Sequence, residues 1–451
     1  MGFLDNNHNH KDGGMGSVST DGVKGDKVRV GFIGLGNRGT QLLERFMTQP
    51  DAEIVAFCDV YEPYLKRDRA SVHPRYLSSG IPVPPMREEF SKPVDTHADF
   101  RELLDRKDID AVCIATPDHW HAVQTIMAFE AGKDVFVEKP LTATIHEGRR
   151  MVEAESRTGR IGAVCLNRRG SSIYQKLAQK IPQGALGQVA MGHACRLSSM
   201  GPAGIGKLAA EEPPPDFDWN MWLGPRPERP YQYNLAPYFF RWWQDYSSQM
   251  GNWGVHYLDV IRWLMGETAP VSVSAYGSTA TVDDDRTIPD SLETTFQFAS
   301  GAIARFEVLE SAGGQGIHGG EIELRGSKGY LLASQDGYTI TPSNPGQFQT
   351  WDRLIESEEE QLTGDQVYGD LKIKEDTTEV LIRNFLDCVK TRQRPLCTLE
   401  DGHRSTSFAH LANISLAMGQ RLEWDPEEER FTNCDRANEL LHYEYRQPWK
   451  I

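Results

Sequence analysis

Nothing in this sequence supplies a disulfide framework or a zinc site. Its seven cysteines, at 58, 113, 165, 195, 388, 397 and 434, form no Cys-x-x-Cys pair and show no metal-ligand spacing. They read as reduced thiols, with Cys58 and Cys113 inside apolar strand patterns. Basic charge is short: 48 Lys and Arg stand against 64 Asp and Glu, a net charge of −16. That balance argues against a nucleic-acid partner and against anionic membrane surfaces. No apolar run reaches the roughly 18 residues of a membrane span. Internal repeats are absent, and Glu358-Glu359-Glu360 is the nearest approach to a long charge run. No metal is required by any spacing in the chain.

What is present is a chain of 451 residues, 39% hydrophobic, long enough for two or three domains. Residues 1–26 are rich in Gly, Asn, His and Asp and lack the apolar core of a secretory signal. They read as a disordered leader or tag, which includes His8 and His10. As the sequence stands it indicates the cytoplasm; a removed native leader would make it periplasmic.

From Lys27 an apolar run leads into Gly34-Leu35-Gly36-Asn37-Arg38-Gly39, and a helical pattern follows (Leu42, Leu43, Phe46, Met47). This is the strand–turn–helix opening of a dinucleotide-binding unit. Gly34 makes the tight turn, Gly36 admits a pyrophosphate and Gly39 lets helix and strand pack closely. A second apolar run, Ile54–Cys58, ends in Asp59, 25 residues after Gly34, where ribose hydroxyls are held. Val60, Tyr61 and Glu62 follow, with no cation for a 2′-phosphate, so NAD is favoured over NADP.

Strand and helix alternate through residues 27–165, which predicts a Rossmann domain with a parallel sheet and helices on both faces. Residues 166–451 predict a substrate and oligomerisation domain of α+β type with a large, open, mostly antiparallel sheet. Its strands are expected at 189–197, 271–276, 292–298, 302–308, 320–325, 329–334 and 338–341. Residues 342–376 read as a polar surface excursion. Closing helices at 377–391 and 402–418 are expected to pack partly back on the Rossmann domain.

Ligands in open parallel sheets bind off the carboxyl ends of strands. Three such ends carry chemistry: Thr116-Pro117-Asp118-His119-Trp120-His121, Glu138-Lys139-Pro140 and Asn167-Arg168-Arg169. Lys139 is the sharpest candidate for proton transfer with a substrate hydroxyl. His256, in Asn252-Trp253-Gly254-Val255-His256, is the second, with Asp259 three residues on. Aromatic residues crowd residues 231–246, among them Tyr238, Phe240, Trp242, Trp243 and Tyr246, a surface suited to the C–H faces of a pyranose. Arg168, Arg169 and Arg196 could contact hydroxyls or a carboxylate, or serve in ion pairs.

Together these motifs resemble the Gfo/Idh/MocA family, the glucose–fructose oxidoreductase and inositol dehydrogenase group, over residues 28 to 451. The resemblance implies hydride transfer between a nicotinamide and a sugar or cyclitol carbon, with Lys139 and His256 handling the proton. It assigns Asp59 to the ribose, and Pro117, His121 and Glu138 to the nicotinamide end. With Gly34, Gly36, Asn37, Arg38, Gly39, Thr116, His119, Trp120, Lys139 and Asn167 these make the expected cofactor set. Arg168, His193, Trp242, Trp243, Tyr246 and Asn252 make the expected substrate set. It also implies a small carbohydrate substrate and a homo-oligomer, dimer or tetramer, through the C-terminal sheet.

One departure is visible. Many relatives carry Asp where this chain has Asn252, and an amide cannot accept a proton. Two chemistries therefore stay open: oxidation of a ring hydroxyl, with C3 the leading position, or a redox-neutral glycosidase that oxidises, eliminates, hydrates and re-reduces. The second needs a further base and acid, for which His193, Tyr174 and Tyr246 are candidates. A non-catalytic NAD-binding sensor is the third alternative.

Overall fold

The structure is a computed structural model that describes residues 26–314, 316–344, 346, 353–368 and 371–451. The expected leader, Asp26 apart, lies outside the described residues, as does part of 342–376.

Six strands form the first sheet: β1 (Val28–Ile33), β2 (Ala52–Cys58), β3 (Asp95–His97), β4 (Ala111–Ile114), β5 (Asp134–Glu138) and β6 (Gly162–Cys165). All pair in parallel, in the order β3-β2-β1-β4-β5-β6. β4, β5 and β6 are buried along their whole length, because helices cover both faces of the sheet. The chain runs outward through β2 and β3 and returns to β4 on the other side of β1. The strand order therefore reverses beside β1, which opens a crevice at the carboxyl ends.

One helix on this sheet comes from far along the chain. Thr377–Thr391 lies beside Asn37–Met47, and Phe385 joins Phe46 around Phe136 with ring centroids 5.5 and 5.7 Å from it. Full burial of each ring contributes about 1.5–3 kcal/mol. The exposed pair between Lys390 and Asp51 nearby contributes roughly 0–1 kcal/mol. Packing rather than charge holds this helix in place.

The second sheet contains β7 (Val189–Leu197), β8 (Ser272–Ser278), β9 (Ser291–Gln297), β10 (Ile303–Leu309), β11 (Ile322–Gly326), β12 (Gly329–Ser334), β13 (Gly337–Pro342) and β14 (Glu358–Gln361). A separate ribbon pairs β15 (Gln366–Tyr368) with β16 (Leu371–Ile373), and β17 (Leu422–Asp425) and β18 (Arg430–Phe431) close the ten-stranded sheet. Its order is β14-β13-β12-β11-β7-β10-β9-β8-β17-β18, with β7 and β10 parallel and the other pairs antiparallel. The polar stretch after 342 is thus more than an excursion, since β14 extends the sheet edge.

Helix Val255–Met265 lies on the closed face, with Ile261 against Gly192. Helix Leu399–Met418 packs against Ile145–Thr158 and β8 and so touches the elements of both sheets. Among the described residues no helix is long and apolar enough to cross a membrane.

Candidate active site

The glycine loop forms the cradle that its spacing predicts. Gly34 has φ +90°, and a Cβ there would lie 2.8 Å from the Ala115 carbonyl. A Cβ on Gly39 would stand 2.0 Å from the Gly34 carbonyl oxygen, so helix and turn touch because Gly39 lacks a side chain. Helix Asn37–Met47 starts at Gly36 with no side-chain cap and no acidic residue in its first turn. Helices Ile145–Thr158 and Leu399–Met418, by contrast, close their N-termini with complete capping boxes. The uncapped N–H groups and dipole of the first helix suit phosphate oxygens. Gly39→Ala overpacks this contact by about 1–3 kcal/mol. The expected result is NAD binding weakened by roughly 10–100-fold in calorimetric titration. Unchanged affinity would mean the close approach has no bearing on the cofactor.

Asp59 ends β2 facing this turn. Its carboxylate accepts from Leu35 N–H at 2.6 Å and Tyr61 N–H at 2.9 Å. Burial pushes its pKa up, against the lowering effect of those backbone donors. Each oxygen keeps a lone pair for a ribose hydroxyl. Arg67 reaches toward the same turn but is paired with Glu88 at 2.5 Å, which leaves its charge engaged. An open cleft runs from Gly34 and Asp59 past Thr116 and Pro117. Cradle, carboxylate and cleft fit a dinucleotide.

Lys139 stands one strand further along, at the end of β5. Its ammonium donates to the Asn252 carbonyl at 2.8 Å and to Asn252 Oδ1 at 3.2 Å. Asn252 belongs to a π-helical turn, Met250–Gly254, that leads into Val255–Met265, and its amide donates to Gln249 at 3.2 Å. That bond holds Oδ1 toward Lys139. Burial lowers the Lys139 pKa to about 8, against the raising effect of Glu138. His256 lies one turn on. Burial, then the Lys139 and Arg168 charges, hold its imidazole well below its usual range. Its Nδ1 is buried with no hydrogen-bond partner. Asn167 Oδ1, at the end of β6, is likewise buried and unpaired. Each unpaired buried group costs about 1–3 kcal/mol, so these atoms suit a ligand.

Several expected cofactor residues act as framework around these groups. Glu138 pairs with Arg38 at 2.6 Å; burial raises its carboxyl, and the Arg38 and Lys139 charges outweigh that and hold it below the usual range. Arg38 lines the cleft, although its guanidinium is engaged by Glu138, Gln41 and Thr378. His121 bridges the carbonyls of Thr116 and Pro140 at 2.9 and 2.8 Å and ties two strand ends together. Thr116 donates to Gln124 at 2.8 Å. His119 is a correction: its side chain turns into the core, meets the Trp222 carbonyl at 2.9 Å, and burial drives its pKa down to about 3. Trp120 also fastens the Trp219–Leu223 helix, through Nε1 to Met221 O and Trp222 O, but still borders the cleft.

The expected substrate set divides. His193 falls on the other face of the large sheet. Gly192 and Ala194 are buried toward Val255–Met265, so the intervening side chain projects away and meets Glu307 at 3.1 Å. Trp242 donates to Glu310 at 2.9 Å, Trp243 to the Asn234 carbonyl at 2.8 Å, and Tyr246 packs against His119 and Trp222. All three are buried core aromatics. Their segment does reach the cleft, through Tyr238, Phe240 and Arg241. Tyr174 is fully buried, 3.5 Å from the Ala333 carbonyl. Arg168 pairs with Glu321 and Arg169 with Asp259, which makes them ion-pair residues. Asn252 alone of the six holds a candidate catalytic side chain directly. Sequence reasoning missed Asp118, a buried carboxylate that accepts from Ser247; burial raises its pKa, against the lowering effect of the nearby His121. Its place inside the Thr-Pro-Asp-His-Trp-His strand end was the available signal.

Three family models match the chain. Residues 28–165 match the oxidoreductase family NAD-binding Rossmann fold, 221–332 the GFO/IDH/MocA C-terminal domain, and 370–451 the oxidoreductase family C-terminal alpha/beta domain. Glycosyl hydrolase family 109 proteins of a Shewanella species (strain W3-18-1) and of Shewanella putrefaciens are 33% identical over 177 residues. The match covers 39% of this chain, and the chain spans 36% of the length of those curated relatives. A levoglucosan dehydrogenase in complex with NADH and levoglucosan superposes with TM-score 0.62 at 19% identity, covering 88% of this chain and 99% of that one. The aldose-aldose oxidoreductase from Caulobacter crescentus gives 0.61 at 18% identity, with the same coverage. At such identities the likeness is one of fold.

Proposed function

This chain belongs to the Gfo/Idh/MocA oxidoreductase family, and from that premise we propose that it oxidises a ring secondary hydroxyl of a sugar or glycoside, with C3 the leading position. The observation that carries this reading is Lys139, held by Asn252 at 2.8 Å beside His256. Bound NAD would accept the hydride. The neutral Lys139 amine takes the hydroxyl proton, and the unpaired His256 imidazole orients the oxygen or passes that proton on. Asn252 cannot take a proton itself; it aims the lysine. Arg38, Glu138 and His121 fix the strand ends on which these groups stand.

The pH dependence follows from the two shifts. His256 is neutral throughout the working range, because its pKa is held well below 6.5. Lys139 titrates at about 8, and the base form is the one above it. Sugar oxidation therefore rises with pH through about 8 in kcat/KM, and the limb persists in His256→Asn. A limb near pH 6 that vanishes with His256 would reassign the base to histidine.

Incubation with NAD and a panel of α- and β-glycosides, followed by mass spectrometry, tests the reaction. A keto-sugar supports oxidation, and no product with any glycoside sinks it. A redox-neutral glycosidase is the second reading. It is supported by the family 109 relatives and by the aromatic segment beside the cleft. Asp218 N–H donates to Val60 O and Glu62 N–H to Asp216 O, at 2.8 and 2.9 Å, so the stretch around Phe217, whose ring packs on Tyr231 of that segment, is stitched to the cleft rim. A retained cofactor is what a returning hydride requires. Free sugar carrying solvent deuterium at C2 would select this second reading.

A further inference from the structure

We propose that the substrate is an anionic carbohydrate, and that Arg196 seats its carboxylate; this rests on the reading above and names the substrate class for the same site. Arg196 lies on β7 in register with Gly192 and Ala194, so it projects to the face that carries Val255–Met265. Its guanidinium stacks 3.8 Å from the centre of the Trp253 ring. Trp253 follows Asn252, the residue that holds Lys139, and precedes His256 by three positions. Arg196 is thus tied to the turn that carries the candidate catalytic groups.

Its charge is unanswered. Arg38, Arg45, Arg67, Arg168, Arg169 and Arg286 each face a carboxylate. Arg196 has no ion pair among the described residues, and its Nε is buried without a hydrogen-bond partner. Arg160, Arg229 and Arg241 are also partly buried without an ion pair among the described residues, but they donate to Gly132 O, Gln232 Oε1 and Tyr238 O. Leaving such donors unpaired is costly, and a ligand oxyanion removes that cost. The planar fork, pre-oriented by stacking on Trp253, matches a planar carboxylate with two parallel hydrogen bonds. Arg168 cannot serve in its place, because Glu321 accepts from its Nε at 2.7 Å.

The test uses the NAD-loaded full chain and three methyl glycosides that differ only at C6: glucoside, glucuronide and 6-phosphate. The expected result is kcat/KM at least about 10-fold higher for the glucuronide than for the glucoside. That ratio should collapse in Arg196→Gln and be partly retained in Arg196→Lys. Equal rates on glucuronide and glucoside, or a ratio unchanged in Arg196→Gln, overturn the proposal. Preference for the phosphate overturns the carboxylate assignment. If no glycoside is oxidised, the oxidoreductase reading fails. Calorimetric titration with glucuronate then decides the inference on its own: binding that Arg196→Gln abolishes supports it, and absence of binding overturns it.

Discussion

Lys139→Met lowers kcat for sugar oxidation by about 10³-fold, within the 10²–10⁴ range of a positioned acid–base group. Methionine keeps the length of the stem and removes the amine that donates to Asn252. His256 cannot take over, because burial and the neighbouring charges keep its imidazole a weak base. Stability should hold or rise. Burial already works against the ammonium, as its lowered pKa of about 8 records, and its two acceptors on Asn252 lie in a partly exposed turn. NAD affinity should change little, since the glycine cradle and Asp59 lie beyond this residue. Stopped-flow turnover, calorimetric NAD binding and a thermal melt separate the three effects. A fall of less than tenfold with NAD binding intact would remove Lys139 from the chemistry.

Asp259→Ala destabilises the fold by about 3–5 kcal/mol, the cost of leaving a buried charge uncompensated. Asp259 is fully buried and accepts from Arg169 at 2.9 Å and from Ser405 at 2.6 Å. Arg262 stands 3.6 Å away, and Asp401 meets Arg169 at 3.1 Å. Two cations and two anions balance in this cluster, which joins β6, the His256 helix and Leu399–Met418. Removing Asp259 leaves Arg169 and Arg262 to share Asp401. The exposed pair Arg305–Glu293 is the control: Glu293→Ala costs under about 1 kcal/mol. Replacing both partners, Asp259→Leu with Arg169→Met, should recover much of the loss, because no charge is then stranded. Urea unfolding reads all three. A loss under 1 kcal/mol for Asp259→Ala would show that water reaches the cluster.

Asp259 also illustrates how far sequence reaches. It stands three residues after His256, and helical spacing allows a shared face. The side chain is instead taken by Arg169, 90 positions earlier. No local rule contains that partner. The same holds for the aromatic segment, where density suggested a sugar surface. Trp242, Trp243 and Tyr246 are buried, while Pro237, Tyr238, Phe240 and Arg241 line the cleft. A run of aromatics states how much surface wants burial; it does not state which rings find a neighbour. His193 was lost to strand parity, since a one-residue offset turns a side chain to the opposite face of a sheet.

The strand ends were legible for the opposite reason. Glycine spacing, the acidic residue after β2 and the apolar runs between them are local patterns, each tied to a backbone requirement within a few residues. The parallel sheet follows from their alternation, and the family resemblance from their order. Sequence by itself therefore determined the Rossmann architecture, the tight glycine turn at Gly34–Gly39 and the candidacy of Lys139 and His256. Tertiary structure alone decided that Asn252, 113 positions after Lys139, is what holds it, and that Arg196 rather than Arg168 or Arg169 is left without a carboxylate. Those outcomes depend on which distant side chain fills each space first, and packing settles that only when both sheets and the helices between them have come together.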